Sequence, residues 1–421
     1  MKPVAALALA AALSIALPVS ARHPQQPPST TFRSGTALVE VDIIVKDKDG
    51  NFVSGLTADD FEVLEEGRPQ HIQHFYLVTD RAAAPGEPRS VVMMPRSPDQ
   101  TERRAFVLYF DTDHLSASGL ARLKQAALTF VGGQFRSRDL GGVFANGALW
   151  HGHLTSDPQE ILDGIRAVEP AVETSANRQA RLVEFPRIDS ELQAVRIEAG
   201  DQRELDSLAA QNCVQERASC DLEGGYEYVV VKLQRKAQTY VTEARQAATA
   251  TLNTLSYLSK NLAGLEGRKT VIMISEGFYT PDVRSELPLV AGQASRAGVT
   301  IYTLDARGTA GAGGRTVPDA SVALGNLSMA GETGEEGLEV LATETGGLPL
   351  RHTDNFAAAM ASVATDTSTY YVLAYSPEQQ VFDGRYRAIQ IKTSWKGLSV
   401  RARRGYVASP LPRPKPVRTG G

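Results

Sequence analysis

Carboxylate side chains follow two apolar runs of the sequence. Asp111 and Asp113 come directly after Ala105–Phe110, and Glu276 comes two residues after Thr270–Ile274. Continuous apolar runs of this kind are typical of strands buried on both faces of a parallel sheet. Ligands of such sheets bind beyond the carboxyl ends of the strands. Oxygen-bearing side chains at that edge are the groups that hard divalent cations bind.

The elements that must position these carboxylates alternate between strand and helix patterns. Apolar runs end at Phe110, Ile274 and Leu304, and residues at helical spacing, such as Leu120 and Leu123, follow or separate them. This alternation predicts an α/β domain with a mostly parallel, Rossmann-like sheet and helices on both faces. The loops after Phe110, Ile274 and Leu304 are then expected at one edge of the sheet.

Both ends of the chain show a different pattern. Val39, Val41, Ile43 and Val45 alternate with more polar residues, which predicts a strand with one buried face. Short strands return after residue 377, and because chain termini often lie close together we expect a small β-sandwich-like module built from both ends. The predicted organisation is a signal peptide (1–21), a flexible leader (22–34), an N-terminal β module (35–80), a linker (81–104), an α/β domain (105–376) with an insertion (177–236), C-terminal β strands (377–408) and a tail (409–421).

The first 21 residues have the pattern of a secretory signal peptide. A basic start at Lys2 precedes the apolar run Val4–Leu17 and the small-residue site Val19–Ala21. The run is shorter than the roughly 20 residues that span a bilayer, and no later segment is apolar enough to do so. We expect an exported protein, periplasmic or secreted. In that setting Cys213 and Cys220 form either one local disulfide or two free thiols, and the sequence does not choose between them.

The strand Ala105–Phe110, with Asp111–Ser116 and the helix pattern after it, resembles the start of a von Willebrand factor A (VWA) domain. That family has Asp-x-Ser-x-Ser at this place and usually Asp-Gly after its fourth strand, matched here by Glu276-Gly277. Val39–Gly67, Tyr370–Tyr375 and Val400–Tyr406 are similar to an exported bacterial subgroup, the acidobacterial-type proteins related to VWA domains. The resemblance covers nearly the whole mature chain and implies the VWA fold.

The resemblance also implies a metal-ion-dependent adhesion site, whose ion binds an acidic group of a partner protein. The matching residues have diverged: Asp113 and Leu115 stand where the two serines belong, Ser116 is one residue late, and Glu276 replaces aspartate. Two hypotheses follow. Either the site binds Mg²⁺ or Ca²⁺ with altered geometry, or it is degenerate and Asp111 bonds groups of the protein itself. The residues assigned by resemblance are Asp111, Asp113, Thr174 and Glu276 as metal ligands, with Ser116 and Gly277 as partner-binding residues.

Composition and motifs make an enzyme the weaker hypothesis. Lys and Arg total 44 against 48 for Asp and Glu, so no basic field indicates nucleic acid. No hydrolase signature such as His-Glu-x-x-His or Gly-x-Ser-x-Gly occurs. His114, His151 and His153 would hold zinc only if the fold brought them together.

We therefore expect an exported, non-enzymatic protein that binds an unidentified protein partner in adhesion or as a scaffold. The alternatives are a metal-independent structural component of the cell envelope and, third, a metal-dependent hydrolase.

Overall fold

The computed structural model describes residues 38–79, 104–279, 281–309, 334–378 and 381–410. The predicted signal peptide (1–21) and leader (22–34), and most of the linker (81–104) and tail (409–421), lie outside these residues. The strands are β1 (Val39–Lys46), β2 (Phe61–Glu65), β3 (Arg68–Gln70), β4 (Ile72–Thr79), β5 (Arg104–Phe110), β6 (Leu140–Ala145), β7 (Ala148–Leu149), β8 (Arg268–Ser275), β9 (Val299–Asp305), β10 (Pro349–Leu350), β11 (Thr369–Tyr375), β12 (Tyr386–Thr393), β13 (Ser399–Arg401) and β14 (Gly405–Val407). The helices are α1 (Ala117–Gln134), α2 (Pro158–Ala167), α3 (Ser175–Leu182), α4 (Glu191–Glu198), α5 (Gln202–Gln215), α6 (Arg217–Cys220), α7 (Gly225–Leu262), α8 (Leu287–Arg296), α9 (Glu335–Glu344) and α10 (Phe356–Asp366).

A six-stranded sheet in the order β10-β9-β8-β5-β6-β7 forms the centre of the α/β domain. All neighbouring pairs are parallel except β6 and β7. Phe110 pairs with Ile274, and Ile274 pairs with Leu304, so the three predicted loops leave the sheet at the same edge. The α/β fold class predicted from the sequence is confirmed, and the arrangement is consistent with a VWA-like Rossmann fold.

Helices cover both faces of this sheet. One face packs against α1, α2 and α10, and the other packs against the second half of α7 with α8 and α9. β5 is buried along its whole length because it lies between the two layers. Residues of the two layers include Leu123, Ile165 and Met360 on one side and Leu255, Leu287 and Leu341 on the other.

The two ends of the chain form a β-sandwich, as predicted. Its sheets have the strand orders β13-β1-β11-β4 and β14-β12-β2-β3. The alternating residues Val39–Val45 of β1 face a shared core that also contains Val63 of β2, Ile389 of β12 and Tyr406 of β14. The alternating apolar residues of β1 are therefore the ones that face the core of the sandwich.

One strand lies in a different sheet from the one its sequence pattern indicates. The predicted bounds of the α/β domain (105–376) include Tyr370–Tyr375, but β11 lies in the sandwich, antiparallel to β1 and β4. The pattern misleads because β11 is central in its sheet and is buried on both faces, like a strand of a parallel sheet. Its second face packs toward the α/β domain, where the Arg268 guanidinium lies 4.2 Å from the Tyr370 ring centre.

The insertion predicted at 177–236 is helical and has its own apolar core. Helices α3 to α5 pack on the first half of α7, around Leu205, Leu208 and Leu233. The predicted boundary at residue 236 falls inside α7, which is 38 residues long. Cys213 and Cys220 form a disulfide with 5.5 Å between their Cα atoms. Among the described helices, α7 included, none combines the length and apolarity needed to cross a membrane.

Charged side chains join the sandwich to the α/β domain. Asp366, at the end of α10, is 3% exposed and accepts hydrogen bonds from Lys46 (3.1 Å) and Arg401. Lys46 and Arg401 belong to β1 and β13, so a single carboxylate of the α/β domain binds two strands of the sandwich. All the described residues fall within one compact unit, Ala37–Gly421.

We expect Asp366→Asn to lower the free energy of unfolding by about 2 kcal/mol, because charge-assisted hydrogen bonds to a buried carboxylate are lost. The matched control is Glu62→Gln, which removes an exposed ion pair with Lys392 at 3.8 Å and should cost less than about 0.5 kcal/mol. Urea unfolding of the full chain measures both. Equal effects of the two variants would contradict a structural role for Asp366.

Candidate functional site

Asp111 begins the loop at the carboxyl edge of the central sheet. Its backbone N–H donates to the Ile274 carbonyl at 2.9 Å, which extends the pairing of β5 with β8 by one residue. A 3₁₀ turn over Thr112–His114 follows and leads to α1. The turn bends the chain back, so that His114 returns toward the Asp111 side chain.

The Asp111 carboxylate is buried and accepts four hydrogen bonds from side chains. It is 2% exposed. Oδ1 accepts from the Tyr109 hydroxyl (3.2 Å) and from Thr251 Oγ1 (2.9 Å). Oδ2 accepts from His114 Nδ1 (3.0 Å) and from Ser275 Oγ (2.9 Å). Because a carboxylate has about four acceptor positions, these four donors satisfy it completely.

The surroundings of Asp111 favour its charged form. Burial by itself raises the pKa of Asp111, but the charge and hydrogen bond of His114, together with the two hydroxyl donors, outweigh it and hold the pKa below its ordinary value. Burial and the neighbouring Asp111 charge raise the pKa of the Tyr109 phenol well above its usual range. Tyr109 therefore stays a protonated donor.

Glu276 is bonded to the start of α1. Its backbone N–H donates to the His114 carbonyl at 2.8 Å, and its Oε1 accepts from Ser116 Oγ at 2.5 Å. Ser116 is also the N-cap of α1, since its Oγ accepts from the Gly119 N–H at 3.0 Å. A Cβ at position 119 would lie 2.1 Å from Glu276 Oε1, so a larger residue there would displace the Glu276 carboxylate.

The other residues assigned by resemblance are held separately. Thr174 is the N-cap of α3 and accepts from the Asn177 N–H at 3.3 Å. Asp113 is partly exposed, and its carbonyl oxygen lies 3.5 Å from Arg178 Nη2 of α3. Gly277, expected to contact a partner, is buried: its φ is +88°, and a Cβ would lie 2.6 Å from the Gly334 carbonyl oxygen. That close approach of two backbone segments requires glycine.

Among the described residues, no group of three His, Cys, Asp or Glu side chains is arranged to hold a metal ion, and the four assigned ligands make separate contacts in this arrangement. Both Asp111 oxygens are occupied by protein donors, and Leu115, which stands at a ligand position of the resemblance, is completely buried. Thr174 and Glu276 are held at the starts of two different helices. A further acidic residue at the same edge, Asp305, is 2% exposed and is bonded by the Arg307 backbone and guanidinium at 2.6–2.9 Å.

Sequence reasoning found the central carboxylate and missed most of its partners. Ser275 and His114 are close to assigned residues in the sequence, and their polar types next to buried strands are a usable signal. Thr251 is 140 residues away on α7. Nothing in the sequence predicts that Thr251 contacts Asp111, because Thr251 lies on the same face of α7 as residues of the apolar core.

Comparisons with known proteins add little to this geometry. No protein-family model matches the sequence, and no curated protein matches it. One solved structure that matches is the crystal structure of an aerotolerance-related membrane protein from Bacteroides fragilis NCTC 9343 with multiple mutations to serines. It has 13% sequence identity and a TM-score of 0.29, over 63% of this chain and 98% of that chain. A likeness at this TM-score supports no argument about function.

We expect Asp111→Asn to lower the free energy of unfolding by about 3–5 kcal/mol, because a buried charge is removed from four donors. Thr251→Val removes one donor and should cost about 1–3 kcal/mol. Urea unfolding measures both, with Mg²⁺, with Ca²⁺ and with chelator. Each substitution is expected to lower the free energy of unfolding by the same amount under all three conditions. A loss that appears only with the ion present would contradict the internal role of Asp111.

The lowered pKa of Asp111 also predicts a dependence on pH. The group binds its proton less tightly when folded, so its contribution to stability is present above its unfolded pKa, about 3.9. That contribution is lost as the pH falls through the lower folded pKa. The difference in unfolding free energy between the wild type and Asp111→Asn should be constant above about pH 5 and shrink below about pH 4. A difference that grows on acidification would contradict the stated direction.

Proposed function

We propose that this chain is an exported, non-enzymatic binding protein whose VWA-like domain contacts a protein partner at the carboxyl edge of the central sheet without a resident ion. The observation that carries the proposal is the saturation of the Asp111 carboxylate by four side-chain donors. The residue that would begin an ion site bonds the protein itself. Partner contact at this edge then depends on the shape and side chains of its loops.

The loop before α3 supplies an exposed part of this edge. Asn146, directly after β6, donates to the Glu169 carbonyl at 3.3 Å, and Arg178 of α3 lies beside Asp113. Between these two attachments Val172 is 98% exposed. Because this side chain is almost completely exposed, a partner that covers it would remove nearly all of its apolar area from water, which is favourable.

The absence of an activated nucleophile at the described edge supports a non-enzymatic role. The Ser275 hydroxyl is completely buried and donates a hydrogen bond to Asp111, so it is closed to a substrate. His114 bonds Asp111 and is 1% exposed, so it is closed to a substrate. Acid–base catalysis needs a titrating group within hydrogen-bond reach of the substrate.

The disulfide supports the exported location. Cys213 and Cys220 are joined within seven residues of sequence, and disulfides persist mainly in oxidising compartments. Together with the signal-peptide pattern of the first 21 residues, this favours the periplasm or the exterior of the cell as the place where the partner is found.

The partner surface is tested by cross-linked pull-down from envelope extract with Val172→Glu. We expect recovery of the partner to fall at least about tenfold, because the partner would have to bury a charge in place of an apolar side chain. The matched control is Val381→Glu, a valine that is 53% exposed elsewhere on the protein, and it should leave recovery unchanged. Equal recovery by the two variants would contradict the assignment of this edge.

The absence of a resident ion is tested separately by calorimetric titration with Mg²⁺, Ca²⁺ and Mn²⁺. The chelator-stripped wild type should show no saturable binding that depends on Asp111, and chelator should not release a captured partner. Saturable Mg²⁺ or Ca²⁺ binding that disappears in Asp111→Asn would overturn the ion-independent proposal and restore the adhesion-site hypothesis.

A further inference from the structure

The first half of α7 has an exposed outer face, formed by residues at helical spacing: Glu227, Tyr228, Val231, Arg235 and Gln238. Tyr228 and Val231, one turn apart, are 54% and 51% exposed. The opposite side of the same turns is buried in the core of the insertion, through residues such as Val229 and Leu233. A surface helix usually has a polar outer face. Here two large apolar side chains are neighbours on that face.

The chain just before α7 adds further exposed apolar side chains. Val214 and Leu222 are 71% and 69% exposed, and Tyr226, at the start of α7, is 40% exposed. Val214 lies inside the loop that the Cys213–Cys220 disulfide closes, and the other two follow it directly. Five of the twelve large apolar side chains that are well exposed in the described ranges therefore lie within residues 214–231. Exposed apolar residues that are grouped in this way are typical of an interaction surface.

The charged residues of this part of α7 are ordered by sign. Glu223 and Glu227 are exposed at the start of the helix. Lys232 and Arg235 are exposed one to two turns later, and Lys232 Nζ lies 5.3 Å from the Tyr228 ring centre. An antiparallel helix with the same sequence would bring its basic turn beside the acidic turn of the first, and its acidic turn beside the basic one. The face is therefore complementary in charge to a second copy of itself.

We propose that the outer face of α7 is an interface between two copies of this chain, paired antiparallel about a two-fold axis near Val231. In such a pairing each residue contacts the same surface of the other copy. Residues equally far from Val231 on opposite sides lie at the same level, so Glu227 of one copy is level with Arg235 of the other. Tyr228 lies within one residue of that level, which allows a cation–π contact with the same guanidinium.

The order of the charges favours a second copy over the other occupants of an apolar face. A parallel pairing would place Glu227 beside Glu227 and Arg235 beside Arg235, and like charges side by side are unfavourable. An anionic membrane attracts segments that are basic throughout, whereas this face begins with acidic residues. A single helix pair is a small contact, so we expect a dimer that depends on protein concentration.

The first test is sedimentation velocity of the full chain at a series of protein concentrations. The wild type should show a reversible equilibrium between monomer and dimer. Val231→Glu should raise the dissociation constant of the dimer at least about tenfold, because each copy would bury a charge in place of an apolar side chain. The matched control is Val381→Glu, a valine that is 53% exposed elsewhere on the protein, and it should dimerise as the wild type does.

The second test locates the two-fold axis by cross-linking. Both natural cysteines are paired with each other, so an introduced cysteine is available to join two copies. Val231→Cys lies next to its own counterpart in the proposed pairing and should form an intermolecular disulfide on mild oxidation. Gln238→Cys lies on the same face, but its two copies would be roughly 21 Å apart along the helices. Because a disulfide needs Cα atoms within about 7 Å, this variant should not cross-link.

Three results would overturn the proposal: a wild type that stays monomeric at every concentration, equal dissociation constants for Val231→Glu and Val381→Glu, or cross-linking of Gln238→Cys as fast as that of Val231→Cys. The last result would indicate a parallel pairing. A monomeric protein that sediments with vesicles of anionic lipid, and does so less in Val231→Glu, would assign the face to a membrane instead. Far-UV circular dichroism checks that each variant keeps its helices, which the exposure of the substituted side chains leads us to expect.

Discussion

The buried charge of Asp111 is the constraint on which the carboxyl edge of this protein depends. A carboxylate removed from water is costly unless donors replace the solvent, and here the donors come from β5, from the turn after it, from α7 and from β8. One charge therefore fixes four segments relative to one another. The tight loop geometry around Glu276 and Gly277 follows, because the Glu276 backbone bonds the same turn.

This arrangement changes what the edge can do. In a VWA-like site of the expected kind, carboxylates would share their charge with an ion and, through it, with a partner. Here the charge of Asp111 is stabilised by internal donors, and that of Asp305 is paired with Arg307. A partner of the proposed kind would contact the surface of the loops and of the helical insertion, which attaches to the edge through Arg178.

The same principle operates where the sandwich meets the α/β domain. Asp366 binds strands from both ends of the chain, and Glu65 inside the sandwich accepts from the hydroxyls of Tyr375 and Tyr406. Buried carboxylates with several donors need each donor at a defined place. Apolar contacts alone would allow these layers to pack in several ways, and the buried carboxylates select one of them.

The sequence by itself determined the local patterns: the buried strands such as Ala105–Phe110, the alternation of β1, and an α/β domain with its loops at one edge. These depend on periodicity and short-range turns, which neighbouring residues encode. Only the tertiary structure decided that β11 joins the sandwich and that Thr251 reaches Asp111 across 140 residues. It also places Glu160 beside His151 and His153, while His114 lies against Asp111. Those contacts join distant segments, and their geometry is fixed by packing rather than by any spacing along the chain.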